Sequence, residues 1–173
     1  MKIFHNIDSI SKLKSLEKLD LRQLKIYHMS NWFIKLKNLK ELNMYNHVSP
    51  KFTQIAQNRI KIIKNICTCL LLEKLDLSSN YIQLLPEEIG NLTSLIEFTF
   101  ENNEIGSFPV SICNLKSLKK LNIGGNYSLF RFFEHSEKHK IWLKTIIDKG
   151  CEITPKRHAK GIKRFINQMH NKG

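Results

Sequence analysis

Cysteine and histidine pairs are the residues of this sequence whose spacing suits metal chemistry. Cys67 and Cys69 are separated by one residue, and His135 and His139 lie four apart on a predicted helix. The histidine spacing can hold zinc, but no second cysteine pair and no carboxylate follows at a ligand spacing. We therefore expect small reduced thiols in the core, an exposed polar helix around both histidines, and no bound metal.

Motifs of enzyme catalysis and phosphate binding are missing from the sequence. It contains no G-x-S-x-G, no Gly-rich phosphate loop and no H-E-x-x-H. The pair Gly124-Gly125 stands inside a repeat, where it is typical of a tight turn. We expect a protein that is not an enzyme and that uses no cofactor.

The composition predicts an ordinary globular domain with an unusual charge. The chain has 173 residues, of which 42% are hydrophobic and 25% charged, so it can bury a core as one domain with or without a tail. It has no apolar run long enough for a membrane span and no secretory signal, so we expect a cytoplasmic protein, with non-classical export left open. The net charge of +13 favours acidic partners.

A repeat of 23 residues organises most of the sequence. The frame L-x-x-L-x-L-x-x-N begins at Leu72, Leu95 and Leu118, and earlier frames begin at Leu16 and Leu39. The first, fourth and sixth positions are apolar in all five frames. Such strict recurrence predicts stacked structural units that share one core.

The second half of the repeat identifies the family that the chain resembles. A pattern of apolar-P-x-x-I-x-x-L begins at Leu85 and again at Phe108. Over roughly residues 3–153 the chain resembles leucine-rich-repeat proteins with repeats near 23 residues. The resemblance implies an α/β solenoid with a short parallel sheet on its concave side, and binding of proteins as its function. It carries over no catalytic residue, because the family shares none.

Outward-facing strand residues are the candidate binding residues. Side chains alternate along a strand, so the third, fifth and seventh frame positions face away from the core. We define these positions as the concave face and predict that an unidentified protein partner binds there. The predicted contacts are Arg22, Asn43, Tyr45, Asp76, Glu97, Thr99 and Glu101.

Two rows of polar residues predict supporting ladders. The third positions alternate in charge along the solenoid, which predicts lateral salt bridges between neighbouring strands. They are Lys18, Glu41, Lys74, Glu97 and Lys120. The asparagines that end three frames, Asn80, Asn103 and Asn126, predict a buried ladder of hydrogen bonds to the backbone.

Two longer segments predict helices and complete the domain. From Leu39 to Leu72 is 33 residues, and apolar residues spaced by three or four predict an inserted convex helix at about 50–70. A last-repeat helix is predicted at about 134–148, ending before Gly150 and followed by a short strand at Ile153. Its inward residues are predicted to be Ile141, Trp142, Leu143, Ile146 and Ile147. The leucine-rich-repeat domain thus spans 1–153.

The C-terminal segment 154–173 is basic and amphipathic. It holds six Lys or Arg residues and no acidic residue, and its apolar residues follow a helical spacing. This predicts either a helical cap on the solenoid or an adaptor that docks on an acidic membrane surface, with nucleic acid a weaker alternative. The basic residues concerned are Lys156, Arg157, Lys160, Lys163 and Arg164.

The first predicted strand lacks a preceding partner. Residues 18–21 stand in the earliest frame, so the strand has one edge that no neighbouring repeat covers. An uncovered strand edge can pair with another chain. We therefore expect end-to-end self-association through this edge.

Overall fold

One strand from each repeat joins an open parallel sheet. The computed structural model describes residues 8–23, 31–45 and 55–154. Its six strands pair in sequence order, and every pairing aligns the same frame positions. The strands are β1 (Lys18–Asp20), β2 (Glu41–Asn43), β3 (Lys74–Asp76), β4 (Glu97–Thr99), β5 (Lys120–Asn122) and β6 (Glu152–Thr154). This confirms the predicted solenoid with its short parallel sheet.

The opposite side of each turn is formed by short helices. The 3-10 helices are Asp8–Lys12, Asn31–Lys35, Glu87–Asn91 and Val110–Asn114. In the long repeat, α1 (Ile55–Ile66) takes this place and packs against the 3-10 helices before and after it. The extra residues therefore build a convex α-helix, as predicted, although residues 50–54 of the predicted insertion lie outside the described chain.

The last repeat contains two helices where the sequence predicted one. Helix α2 spans Leu129–His135 and α3 spans Glu137–Asp148. Between them Ser136 has an extended backbone, with φ −121° and ψ 92°, which interrupts the helical hydrogen bonding. The helix predicted from residue 134 therefore starts later, and its end before Gly150, at φ +88°, agrees with the prediction.

One predicted core residue of α3 faces solvent. Trp142, Leu143 and Ile146 are buried, whereas Ile141 is 56% exposed. His139 takes the remaining inward position, one helical turn before Leu143 and Trp142, so Ile141 points to the opposite side. Assigning Ile141 to the core was wrong.

The core consists of columns in which each turn contributes the same frame position. The first positions Leu39, Leu72 and Leu95 are fully buried, as is Leu121 at a fourth position. An aromatic group centred on Phe108 joins the last repeat to this core, with centroids 5.6–6.1 Å from other rings. No helix in the described ranges is long and apolar enough to cross a membrane.

The asparagine ladder forms as predicted. Asn103 Nδ2 donates to the carbonyl of Leu77 in the preceding turn at 2.9 Å and to that of Phe100 at 2.8 Å. Its Oδ1 accepts from the backbone N–H groups of Asn80 at 3.0 Å and Ile82 at 2.9 Å. The side chain therefore fastens one turn to the next, and Asn80 and Asn126 make similar bonds.

Candidate functional site

We call the residues at equivalent frame positions of the concave face its third, fifth and seventh rows. The third row is a chain of ion pairs. Lys18 Nζ lies 3.0 Å from Glu41 Oε1, and Lys74 Nζ lies 3.7 Å from the same atom. Glu97 lies between Lys74 at 3.8 Å and Lys120 at 3.6 Å. The predicted ladder is confirmed. The hydrogen bond from Lys18, aided by Lys74, holds the pKa of Glu41 below its usual value.

The fifth row shapes the turns that end the strands. Oxygen atoms of Asp20, Asn43, Asp76 and Asn122 each accept a hydrogen bond from the backbone N–H two residues later, at 2.8–3.1 Å. Such bonds fix a local turn, as asparagine and aspartate often do. These side chains are therefore held in place before any partner arrives.

The seventh row ends the strands with residues of different chemistry. The exposed guanidinium of Arg22 binds the carboxylate of Asp20, with Nη2 at 2.7 Å and Nε at 2.8 Å. Glu101 Oε2 accepts from Asn122 Nδ2 at 2.9 Å. Tyr45 is half-buried at the end of β2. Charged and aromatic groups thus follow one edge of the concave face.

The seven predicted contact residues all lie on the concave face, in two zones. Asn43, Asp76, Glu97 and Thr99 line a groove of about 620 Å³ along the strands, whereas the other three stand beyond its lining. The prediction omitted groove residues whose frame positions were readable in the sequence. The polar ones are Lys18, Asp20, Glu41, Lys74, Lys120, Asn122, Glu152 and Thr154. Binding through any of these residues stays a prediction.

The histidine pair does not form a site. His135 belongs to α2, whereas His139 in α3 is only 3% exposed. Its Nδ1 lies 2.6 Å from Ser136 Oγ and its Nε2 lies 3.1 Å from the carbonyl of Pro109. The prediction of an exposed polar helix was therefore wrong for His139. Within residues 8–23, 31–45 and 55–154, no cluster of three or more potential metal ligands occurs.

The cysteines behave as core residues. Cys67, Cys69 and Cys151 are buried free thiols, and Cys113 is half-buried. Burial raises the pKa of Cys67 to about 12 and that of Cys69 to about 11. Because the thiolate is the nucleophile, thiols with such high pKa values are poor candidates for catalysis.

The basic tail lies outside the described residues. The structure therefore neither supports nor contradicts the predicted roles of Lys156, Arg157, Lys160, Lys163 and Arg164. The division into a domain of residues 1–153 and a tail of residues 154–173 likewise stays a prediction.

Comparison with known proteins identifies the family. The family sequence model described as "Leucine rich repeat" matches residues 71–127. The chain is a leucine-rich-repeat protein. Its fold is similar to that of a leucine-rich-repeat protein from Leptospira interrogans, with a TM-score of 0.61, 28% identity, and coverage of 86% of this chain and 33% of that chain.

Curated relatives of this leucine-rich-repeat protein are much longer. Leucine-rich repeat and IQ domain-containing protein 4 from Homo sapiens is 33% identical over 108 residues, which is 62% of this chain and 18% of the relative. Probable serine/threonine-protein kinase pats1 from Dictyostelium discoideum is 33% identical over 121 residues, or 66% of this chain and 4% of the relative. The chain thus spans less than a fifth of either relative.

The family assignment has a general functional meaning. Leucine-rich-repeat proteins mediate protein–protein interactions as a rule, and the fold is typically a non-enzymatic interaction module. The similarity to the kinase covers only a small share of that protein. This general role is a property of the family.

Proposed function

We propose that this chain is a non-enzymatic module whose concave face binds a protein partner. The observation that carries the proposal is the fixed fifth row along the strands. Asn43, Asp76 and Asn122 are each tied to a backbone N–H group two residues later. Groups that are ordered beforehand lose little conformational entropy on binding, which favours recognition by this surface.

The charge of the concave face favours a protein partner over a polyanion. Its basic side chains, including Lys74 and Lys120, lie beside carboxylates of the third row. Paired charges of both signs confer specificity by complementarity. A nucleic-acid groove would instead offer unbalanced positive charge to successive phosphates. The partner proposed here therefore presents mixed polar groups, with hydrogen-bond donors for Asp76 and Glu101.

Matched arginine variants test the concave assignment. Thr99→Arg places a bulky cation in the middle of the groove, whereas Val110→Arg changes a residue that is 50% exposed on the convex side. Proteins captured from source cells by the unmodified chain and by Val110→Arg, but not by Thr99→Arg, support the proposal. Capture that Thr99→Arg leaves intact places the binding surface elsewhere.

A purified partner then allows individual contacts to be measured. Tyr45→Ala removes an aromatic ring, and Glu101→Lys reverses a charge at the end of β4. Each is expected to raise the dissociation constant at least about tenfold if the side chain is an anchor, while circular dichroism stays unchanged. Unchanged affinity for both variants would remove this edge from the binding site.

The basic tail supports a second candidate function. Its six Lys or Arg residues with no acidic residue suit an acidic membrane surface. Deleting residues 156–173 is expected to abolish binding to anionic vesicles if the tail is a tether. A fall in melting temperature with unchanged vesicle binding would favour a cap on the solenoid instead.

A further inference from the structure

The two ends of the solenoid are covered to different extents. Leu13 is 51% exposed, although its equivalents in later turns, Leu36 and Leu92, are fully buried. At the same end Leu19 of β1 is half-buried, whereas its equivalent Ile153 in β6 is only 5% exposed. The N-terminal end therefore exposes apolar side chains that the C-terminal end buries.

The apolar end continues into a strand edge that no other described strand covers. Within the described residues, β1 pairs with β2 alone, and their bonds use alternate residues of β1. The carbonyl of Glu17 accepts from Glu41 N–H at 2.9 Å, and Leu21 N–H donates to Asn43 at 2.8 Å. Odd-numbered residues thus face β2.

The intervening residues face the other way. Neighbouring residues of a strand direct their backbone groups to opposite edges. The N–H and C=O groups of Lys18 and Asp20 therefore point away from β2. They form a two-residue hydrogen-bonding edge on either side of Leu19.

We propose that this end of the molecule binds a second copy of the chain, in a head-to-head dimer. The β1 strands pair antiparallel about a twofold axis at Leu19. Lys18 of each copy then lies opposite Asp20 of the other copy. Both residues then exchange backbone hydrogen bonds as a closely spaced pair, and opposite charges face each other. The two copies of Leu19 meet at the centre, with Leu13 beside them.

Symmetry and burial favour this arrangement over a head-to-tail stack. In a head-to-tail stack, Lys18 would lie next to Glu152 of another copy. Within the described residues β6 also pairs with a single strand, but the side chains of Cys151 and Ile153 are only 6% and 5% exposed, so that end offers less apolar surface to a second copy than the end with Leu13. An isologous contact also closes after two copies, whereas a head-to-tail contact propagates.

The dimer would extend the candidate binding surface. A twofold axis perpendicular to the sheet keeps the third and fifth rows of both copies on the same side. The sheet then runs without interruption from β6 of one copy to β6 of the other. A partner could contact both concave faces across the axis.

Charge exchange at two positions tests the register. Sedimentation velocity of the 173-residue chain over a range of micromolar concentrations is expected to show a monomer–dimer equilibrium. Lys18→Asp or Asp20→Lys alone puts like charges opposite each other twice in each dimer and should raise the dissociation constant at least about tenfold. The double variant Lys18→Asp with Asp20→Lys restores opposite charges and should restore the dimer.

A leucine pair controls for changes that act away from the edge. Leu13→Asp should abolish the dimer, and Leu70→Asp, at a site that is 55% exposed, should leave it intact. A strict monomer at every concentration overturns the proposal. Larger assemblies that the double variant fails to rescue would indicate head-to-tail stacking and also overturn it. A dimer that neither Leu13→Asp nor the charge variants affect would overturn it as well.

Discussion

The side-chain amide of Asn103 donates to the carbonyl of Leu77, one turn earlier, at 2.9 Å. The same side chain accepts from Asn80 and Ile82 N–H groups, so one residue satisfies backbone groups of two turns. Backbone groups at such buried positions have no access to water. The asparagine therefore stabilises the interface between neighbouring repeats as well as its own loop.

Replacing Asn103 should weaken the whole solenoid. Asn103→Ala leaves several buried backbone groups without partners, and we expect the free energy of unfolding to fall by at least about 2 kcal/mol. Asn80 is half-buried, so water can replace part of its bonding and Asn80→Ala should cost less. Denaturant unfolding measures both variants. Equal small losses would show that the ladder adds little stability.

The leucine columns make a second stability prediction. Leu121 is fully buried, and Leu121→Ala should lower the free energy of unfolding by about 2–5 kcal/mol through lost transfer energy and a cavity. Leu70→Ala is the matched control, because Leu70 is 55% exposed and creates no cavity. Thermal unfolding should separate the two variants clearly, and similar melting temperatures would contradict the assigned columns.

Repetition explains why the sheet could be predicted from the sequence. A frame that recurs every 23 residues reports the same structural role several times, so the strands at Leu75, Phe98 and Leu121 were placed correctly. The lateral pairing of Lys74 with Glu97 followed directly, because equivalent positions of stacked turns must be neighbours.

The wrong assignments around His139 fall where the repeat is irregular. His139, which follows the break at Ser136, contacts the carbonyl of Pro109, and Pro109 lies 30 positions from His139 and outside any helical pattern. The bonds from Asn43 and Asp76 to the backbone were also missed. They depend on the turn geometry after each strand, which the apolar frame does not specify.

Thiol reactivity provides a prediction about the core. Burial raises the pKa values of Cys69 and Cys151 to about 11 and that of Cys67 to about 12, so these groups stay protonated at pH 8. Little reaction with a disulfide reagent is expected in the native protein, whereas all thiols should react in denaturant. Cys113 is half-buried and should react first. Rapid labelling of Cys67 in the native state would contradict its burial.

The charge ladder predicts how acid affects stability. The folded-state pKa of Glu41 lies below its usual value of 4.5, mainly because of the hydrogen bond with Lys18. The folded protein therefore binds a proton at Glu41 less readily than the unfolded chain, and stability from this group is present above pH 4.5. It is lost as the pH falls through the lowered pKa. Glu41→Gln should accordingly reduce the acid dependence of the unfolding free energy below pH 4.5.

Salt dependence shows whether Glu41→Gln changes the unfolding free energy through lost ion pairs or through altered packing. Glu41 is half-buried in the lining of the groove, but its partners Lys18 and Lys74 are exposed, so ions can screen their attraction. The difference between the unmodified chain and Glu41→Gln should therefore shrink in about 1 M NaCl, where the Debye length is about 3 Å. Denaturant unfolding at several pH values, with and without salt, measures this. A difference that is independent of both pH and salt would show that Glu41 acts through packing, and that the ladder does not contribute through charge.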